Sequence, residues 1–222
     1  MEEASAPKGV PSRYERGSEE FSRTLALSDG LFAIAMTLLV VGIALPTIDD
    51  ASSSRDLLDA LNDLSASFAS FFISFAVIAR YWYAHQQQFS LLAAMDRRFV
   101  GLNLVYLAFI AFLPFPTDML GNYFENPISI VAYALNVAAV SGMEVVLFQR
   151  SHRAGLLTHP LPEKVYRWGV ITSTSPVAFF ILSIPVAFVN TTAAVLVWLL
   201  AMPFGYGFLK RYKPAEADEY FG

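Results

Sequence analysis

The stretch Arg23-Thr-Leu-Ala-Leu-Ser-Asp-Gly-Leu-Phe-Ala-Ile-Ala-Met-Thr-Leu-Leu-Val-Val-Gly-Ile-Ala-Leu-Pro46 decides the class of this fold. From Thr24 to Leu45 it is long enough to cross a bilayer as a single helix. It nevertheless carries a carboxylate, Asp29, and two hydroxyls, Ser28 and Thr37, at depths where lipid penalises them. Residues of this kind in a membrane span face protein or water. Helix 1 is therefore a candidate pore wall.

Composition agrees with a membrane class. With 55% hydrophobic and 15% charged residues, and several continuous apolar runs of bilayer length, the chain reads as an all-α polytopic membrane protein. Strands of a membrane barrel alternate in polarity over about ten residues, whereas these runs do not alternate. A helix satisfies its own backbone hydrogen bonds in lipid, so continuous runs mean helices. The chain has 0 cysteines, which excludes disulfides, thiolate metal sites and thiol nucleophiles.

Outward from helix 1, residues 1–20 are rich in Pro, Ser, Gly and charge and are expected to form a mobile tail, with helix near Glu19 and Glu20. They do not resemble a signal peptide, because the apolar run starts too late and is too long. Helix 1 is expected over Phe21 to Leu45, ended by Pro46, and is followed by a polar segment carrying Asp49, Asp50, Asp56, Asp59 and Asp63. Helix 2 is expected from Leu57 to His85, with Ser65, Ser67, Ser70 and Ser74 as small packing residues, and Gln86 to Gln88 as a short link. Helix 3 is expected over Asp96 to Leu113, stopped by Pro114 and Pro116, and helix 4 over Pro127 to Phe148. After a basic loop, helix 5 spans Glu163 to Phe188, bent at Pro176 and Pro185, and helix 6 spans Thr191 to Leu209. No internal repeat or dividing linker is visible, so residues 21–211 form one six-helix domain, one repeat per chain, with residues 212–222 as a C-terminal tail.

Six spans put both termini on one side. Fourteen of the fifteen Lys and Arg residues, Lys8 and Lys210 among them, then share that side, and Arg55 alone falls on the other. This bias predicts cytoplasmic termini in a cell membrane.

The chemistry-bearing residues are few. There is no phosphate-binding glycine loop, zinc-type His-Glu-x-x-His pattern or serine elbow, so an enzyme is not expected. His152 and His159 read as surface residues of a basic loop. His85 ends the run Arg80-Tyr-Trp-Tyr-Ala-His85, where aromatic and Arg residues also serve as ordinary interfacial anchors. Asp29 lies six residues past Arg23, roughly 9 Å deeper along the axis, where the positive end of the helix dipole favours an anion. His85, Arg98 and Asn103 come at similar depth and are its natural partners, together with Ser28. Further along, Ile34, Thr37, Leu38, Val41 and Leu45 recur at helical spacing on one face. Pattern alone reads that stripe equally as a lipid-facing or core surface. Glu144, six residues before Arg150, reads as a paired or snorkelling residue.

Three motifs occur in order: Arg23-x-x-x-Leu-Ser-Asp29-Gly-Leu-Phe-Ala-Ile-Ala-x-Thr-Leu-Leu, Trp82-x-x-His85, and Asn103-Leu followed by Phe112-Leu-Pro-Phe115. Together they resemble the prokaryotic members of the transmembrane protein 175 family, potassium-permeable channels related to the endosomal and lysosomal potassium channel. The resemblance is close over helices 1 to 3 and extends to helices 4 to 6 by length and hydropathy. The family pattern has Phe where this chain has Leu27, and commonly an acidic residue near the outer end of helix 1, where this chain has Gly42.

The resemblance implies a homotetramer in the lipid bilayer with four copies of helix 1 around a central pore. Ile34 is then the main constriction, Leu38, Val41 and Leu45 stack beyond it, and Thr37 offers a hydroxyl. Arg23, Ser28, Asp29, Trp82 and His85, with Arg98 and Asn103, form a network holding helix 1. No cofactor, metal or nucleic-acid partner is expected; the permeating ions are potassium, with rubidium and caesium also passing. The alternative is a secondary transporter or proton pathway using Asp29, His85 and Glu144, against which the lack of an inverted repeat counts.

Overall fold

The computed structural model describes residues 13–50, 52–204, 207 and 211–221. The expected end of helix 6 at Leu209, the tail before Arg13, and Lys8 and Lys210 lie outside the described residues. In chain order the elements are β1 (Arg13–Glu15), α1 (Glu19–Leu38) continued by a 3₁₀ turn (Leu39–Gly42), α2 (Ser54–Asp63), α3 (Ser65–Ser90), β2 (Ala94–Asp96) and α4 (Arg97–Phe112). They are followed by α5 (Pro114–Asn122), α6 (Pro127–Arg153), α7 (Glu163–Ala187), α8 (Thr191–Pro203), a 3₁₀ turn (Ala215–Ala217) and α9 (Asp218–Phe221). Five segments are long and apolar enough to span a bilayer: Glu19–Gly42, Ser65–Ser90, Arg97–Asn122, Pro127–Arg153 and Glu163–Ala187. The sixth apolar helix is shorter within the described residues. The fold is all-α and polytopic.

Local chemistry sets the helix starts. Ser18 caps α1, its Oγ accepting the Phe21 N–H at 3.2 Å, and Asp96 caps α4 through the Phe99 N–H at 2.7 Å. Asn126 caps α6 with Pro127 at its first position, where the missing N–H costs nothing.

Four expectations are corrected. Helix 1 does not run to Leu45: it tightens to 3₁₀ geometry after Leu38 and ends at Gly42, and Ile43 is extended. The chain must be extended before Pro46, and Gly42 packs directly on Asp118 of α5. Helix 2 is two helices, broken at Leu64: α2 begins at Ser54, three residues before the expected start at Leu57, and α3 takes over at Ser65. Gln86, Gln87 and Gln88 belong to α3 rather than to a link. Helix 3 ends at Phe112, before Pro114 and Pro116 as expected, but the prolines do not end the span, which continues to Asn122. They fall in the first turn of α5, where Pro is tolerated, and the carbonyl of Leu113 is met by both the N–H (3.2 Å) and the hydroxyl (2.9 Å) of Thr117. In addition, α6 continues to Arg153, and residues 13–15 of the expected tail form a strand.

The core is packed by Phe32 of α1, Ile78 of α3, Phe99, Tyr106 and Ile110 of α4, and Ile130, Tyr133 and Val137 of α6, all without exposed surface. Tyr133 stacks on Trp198 of α8 at 4.9 Å, and the Trp198 indole donates to Ser183 of α7 at 2.8 Å, which joins α6, α7 and α8. The serine face of α3 packs on α5, with the Ser74 hydroxyl donating to Thr117 Oγ1 at 2.8 Å. A Cβ at Gly121 would lie 2.8 Å from Ser70 Oγ and 3.0 Å from Ser67 Cα, so only glycine permits this approach. Gly121→Ala is expected to destabilise the protein by about 1–3 kcal/mol through overpacking. Gly101→Ala, where a Cβ meets nothing within 4 Å, provides the comparison. Thermal unfolding in detergent checks this, with a lowered midpoint for the first variant and no loss for the second.

Candidate functional site: the tethered face and the bare face of helix 1

Helix α1 has two unlike sides. Phe21, Ser28, Phe32, Ala35 and Leu39 are buried against the rest of the chain. The other side is uncovered: Ile34 is 54%, Leu38 45% and Val41 73% exposed, with Ala26, Gly30 and Ala33 exposed below them. Thr37 shares this side, exposed, its hydroxyl donating to the Ile34 carbonyl at 2.8 Å. Leu45 lies past the helix, 92% exposed, so the helical stripe closes at Val41.

Two consecutive residues tie the buried side down. Ser28, fully buried, accepts from Asn103 Nδ2 of α4 at 3.0 Å while donating to the Thr24 carbonyl at 2.9 Å. Asn103 Oδ1 in turn meets His85 Nε2 of α3 at 3.0 Å. Because the Asn103 amide nitrogen is used on Ser28, its oxygen must be the acceptor, which assigns the proton of His85 to Nε2. His85 is held between the rings of Phe89 (4.2 Å) and Tyr106 (5.7 Å), with Phe32 of α1 at 5.5 Å. Its Nδ1 is buried without a partner. The next residue along α1, Asp29, accepts the Trp82 indole N–H at 2.9 Å and a short hydrogen bond from Gln86 Nε2, both from α3.

Of the residues expected in the network, Ser28, Asp29, Trp82, His85 and Asn103 thus come together. Arg23 does not join them: it is exposed and sits 3.7 Å from Glu19, one turn earlier. Arg98 also stays outside, on an exposed side of α4 with no hydrogen bond or ion pair to the group. Gln86 is a member that the sequence did not reveal. It follows Trp82 by four residues, hence on the same side of the helix, but a run of glutamines reads as a link. Glu144 of α6 is within electrostatic reach of Arg80, Tyr81 and Tyr106, and no hydrogen bond connects it to His85 or Asp29. A hydrogen-bonded relay through all three groups is not formed.

An α-helical multi-pass membrane protein with one span pinned by a polar cluster and bare along an apolar stripe is the class these features define. The family model described as "Endosomal/lysosomal potassium channel TMEM175" matches residues 23–114, from the first motif to the end of α4. A potassium channel of Streptomyces collinus is 36% identical over 145 residues, 64% of this chain and 69% of that protein. The chicken endosomal/lysosomal proton channel TMEM175 is 29% identical over 153 residues, which are only 30% of its length. The crystal structure of a lysosomal potassium-selective channel TMEM175 homolog from Chamaesiphon minutus superposes with a TM-score of 0.70 at 27% identity, covering 89% of this chain and 100% of that one. The chain belongs to the TMEM175 family.

Proposed function

We propose that this chain is the subunit of a potassium-permeable cation channel in the cell membrane, in which four copies place α1 around a common axis. The observation that carries the reading is the division of α1 into a pinned polar side and a bare side led by Ile34, Leu38 and Val41. One chain supplies only one such helix, so a symmetric pore requires several copies. The likeness to a bacterial potassium channel and to a potassium-selective homolog supports the choice of ion. The distribution of Lys and Arg supports cytoplasmic termini.

In this reading four Ile34 side chains form a ring that gates by excluding water. An ion passing it sheds part of its hydration shell. That cost is smaller for potassium than for sodium, and smaller again for rubidium and caesium, so selectivity is graded rather than strict. Thr37 places an oxygen beside the narrow part. The chain has no Thr-Val-Gly-Tyr-Gly filter, so rings of backbone carbonyls do not select the ion. Asp29 and Ser28 act from behind, fixing the helix.

The test is potassium flux from liposomes reconstituted with the purified protein, with no proton gradient across the membrane. Potassium is expected to leave down its own gradient at a rate unaffected by a protonophore, apart from relief of the membrane potential. Flux that requires a coupled ion, or protons moving without potassium, would overturn the channel reading in favour of a transporter or proton pathway using Asp29, His85 and Glu144. The absence of a hydrogen-bonded link between Glu144 and the other two groups counts against that second reading.

A further inference from the structure

The foot of α1 rests on a second fastening, built from three chain segments beyond the helix ends. Strand β1 pairs antiparallel with β2, Arg13 opposite Asp96 and Glu15 opposite Ala94, and the Arg16 N–H extends the ladder to the Ala93 carbonyl at 2.7 Å. The turn after α3 pairs in its turn with the turn after α6. Ala93 N–H donates to Leu156 O and Thr158 N–H to Leu91 O, both at 2.8 Å, around a Leu92–Leu157 bridge. Leu92, Met95 and Leu156 are fully buried beneath this collar. Asp96, which caps α4, also forms an ion pair with Arg150 of α6. Burial pushes its carboxyl up, but the Phe99 N–H and the Arg150 guanidinium outweigh this and hold it below its usual value.

Two side chains clamp the strand to this collar. The guanidinium of Arg13 donates to the Ala154 carbonyl at 3.0 Å, at the C-terminus of α6. That of Arg16 donates to the Ser90 carbonyl at 2.9 Å, the last residue of α3. Each places a cation on orphan carbonyls at the negative end of a long helix. From Arg16 the chain enters α1 within two residues: Gly17, at φ +92°, supplies the left-handed turn, and Ser18 is the cap. With so short a connection, the ladder register sets both the direction and the rotation of α1.

We infer that Arg13 and Arg16 are positioning residues for the pore helix, clamping the N-terminal strand so that Ile34, Leu38 and Val41 present to the axis. The inference rests on the channel reading above. Its physical basis is angular: one residue of slip rotates a helix by about 100°, which would bring Ala33 or Ala35 to the place of Ile34. The Ser28 and Asp29 contacts oppose such a slip at mid-depth, and the clamp opposes it at the foot.

The experiment compares the double variant Arg13→Ala/Arg16→Ala, and the corresponding double Lys variant, with the unmodified protein. Hydrogen exchange in detergent reads the clamp without reference to conduction. In the alanine variant the amides of residues 16 and 93 and the first turns of α1 are expected to exchange at least about tenfold faster, tenfold being the scale of losing one of the two charge-assisted hydrogen bonds that the variant removes. Reconstituted protein reads the pore. The potassium flux and the sodium-versus-potassium reversal potential are expected to shift while the oligomer elutes unchanged, and Lys is expected to restore both in part. Unchanged exchange would show that the arginines do not hold the strand and would overturn the inference. So would faster exchange with flux and reversal potential unaltered, or loss of the oligomer in place of a selectivity change. If the unmodified protein conducts nothing, the channel reading has failed; faster exchange in α1 would then still report the clamp.

Discussion

Replacing Ile34 by asparagine is expected to raise potassium conductance about tenfold and to bring sodium permeability close to that of potassium. The side chain is apolar and 54% exposed in the single chain, on the bare side of α1. In a four-fold assembly the change is made four times over at one level. A ring of sec-butyl groups offers an ion no compensation for the water it sheds, whereas four amides offer oxygens and hydrogen-bond donors that keep the level wet. Tenfold corresponds to a barrier lower by only about 1.4 kcal/mol, a small share of the polarity change in four side chains. Because discrimination depends on the dehydration cost, the same change removes it. Single-channel currents and reversal potentials in potassium and sodium gradients check both parts. Currents indistinguishable from the unmodified channel would remove Ile34 from the conduction path. Leu38 and Val41, 45% and 73% exposed on the same stripe, should give smaller changes in the same direction.

The second large effect is on stability. Asn103→Ala is expected to destabilise the protein by about 2–4 kcal/mol, part of it the orphaning of a buried donor and part the space left behind. Asn103 has no exposed surface, donates to Ser28 at 3.0 Å and accepts from His85 at 3.0 Å. Its loss leaves His85 with both ring nitrogens buried and unpartnered, since Nδ1 has no partner even in the intact protein. Ser28 suffers less, because its hydroxyl still donates to the Thr24 carbonyl. Arg98→Ala, five residues earlier on the same helix, is expected to change the unfolding midpoint little, since Arg98 is exposed and bonds to none of the group. Thermal unfolding of the two variants in detergent separates them, and equal losses would mean that the network is not the fastening of α1.

Much of the site is legible in the sequence because a membrane span tolerates few polar groups. A carboxylate and a buried hydroxyl at adjacent positions of a span are costly unless met by partners, and that cost alone singles out Ser28 and Asp29. Depth along the helices places His85 and Asn103 with them, and the resemblance to the family's motifs adds Trp82. Depth is a one-dimensional quantity, however, and it puts Arg98 in the group as readily as Asn103. Which of two residues at the same level points at α1 depends on the rotation of α4, and the buried Phe99, Tyr106 and Ile110 set that rotation. Gln86 is hidden for a related reason: a run of three glutamines looks like a loop, yet α3 continues through it because Gln88 and Phe89 are buried at its end.

The sequence by itself determined the number and extent of the apolar runs, the all-α class and the polar break in helix 1. Each follows from the cost of placing unsatisfied groups in lipid, a cost that any continuous segment meets alone. Only the tertiary structure decided where α1 turns from α to 3₁₀ at Leu39, that Leu45 lies beyond it, and that Pro114 begins a further helix where α4 ends. It alone also revealed the strand at Arg13–Glu15 and the arginine clamp beneath α1. These features depend on groups far apart in the chain meeting in space, Asp118 on Gly42, Ala94 on Glu15 and Ala154 on Arg13, and no local pattern of hydropathy encodes such a meeting.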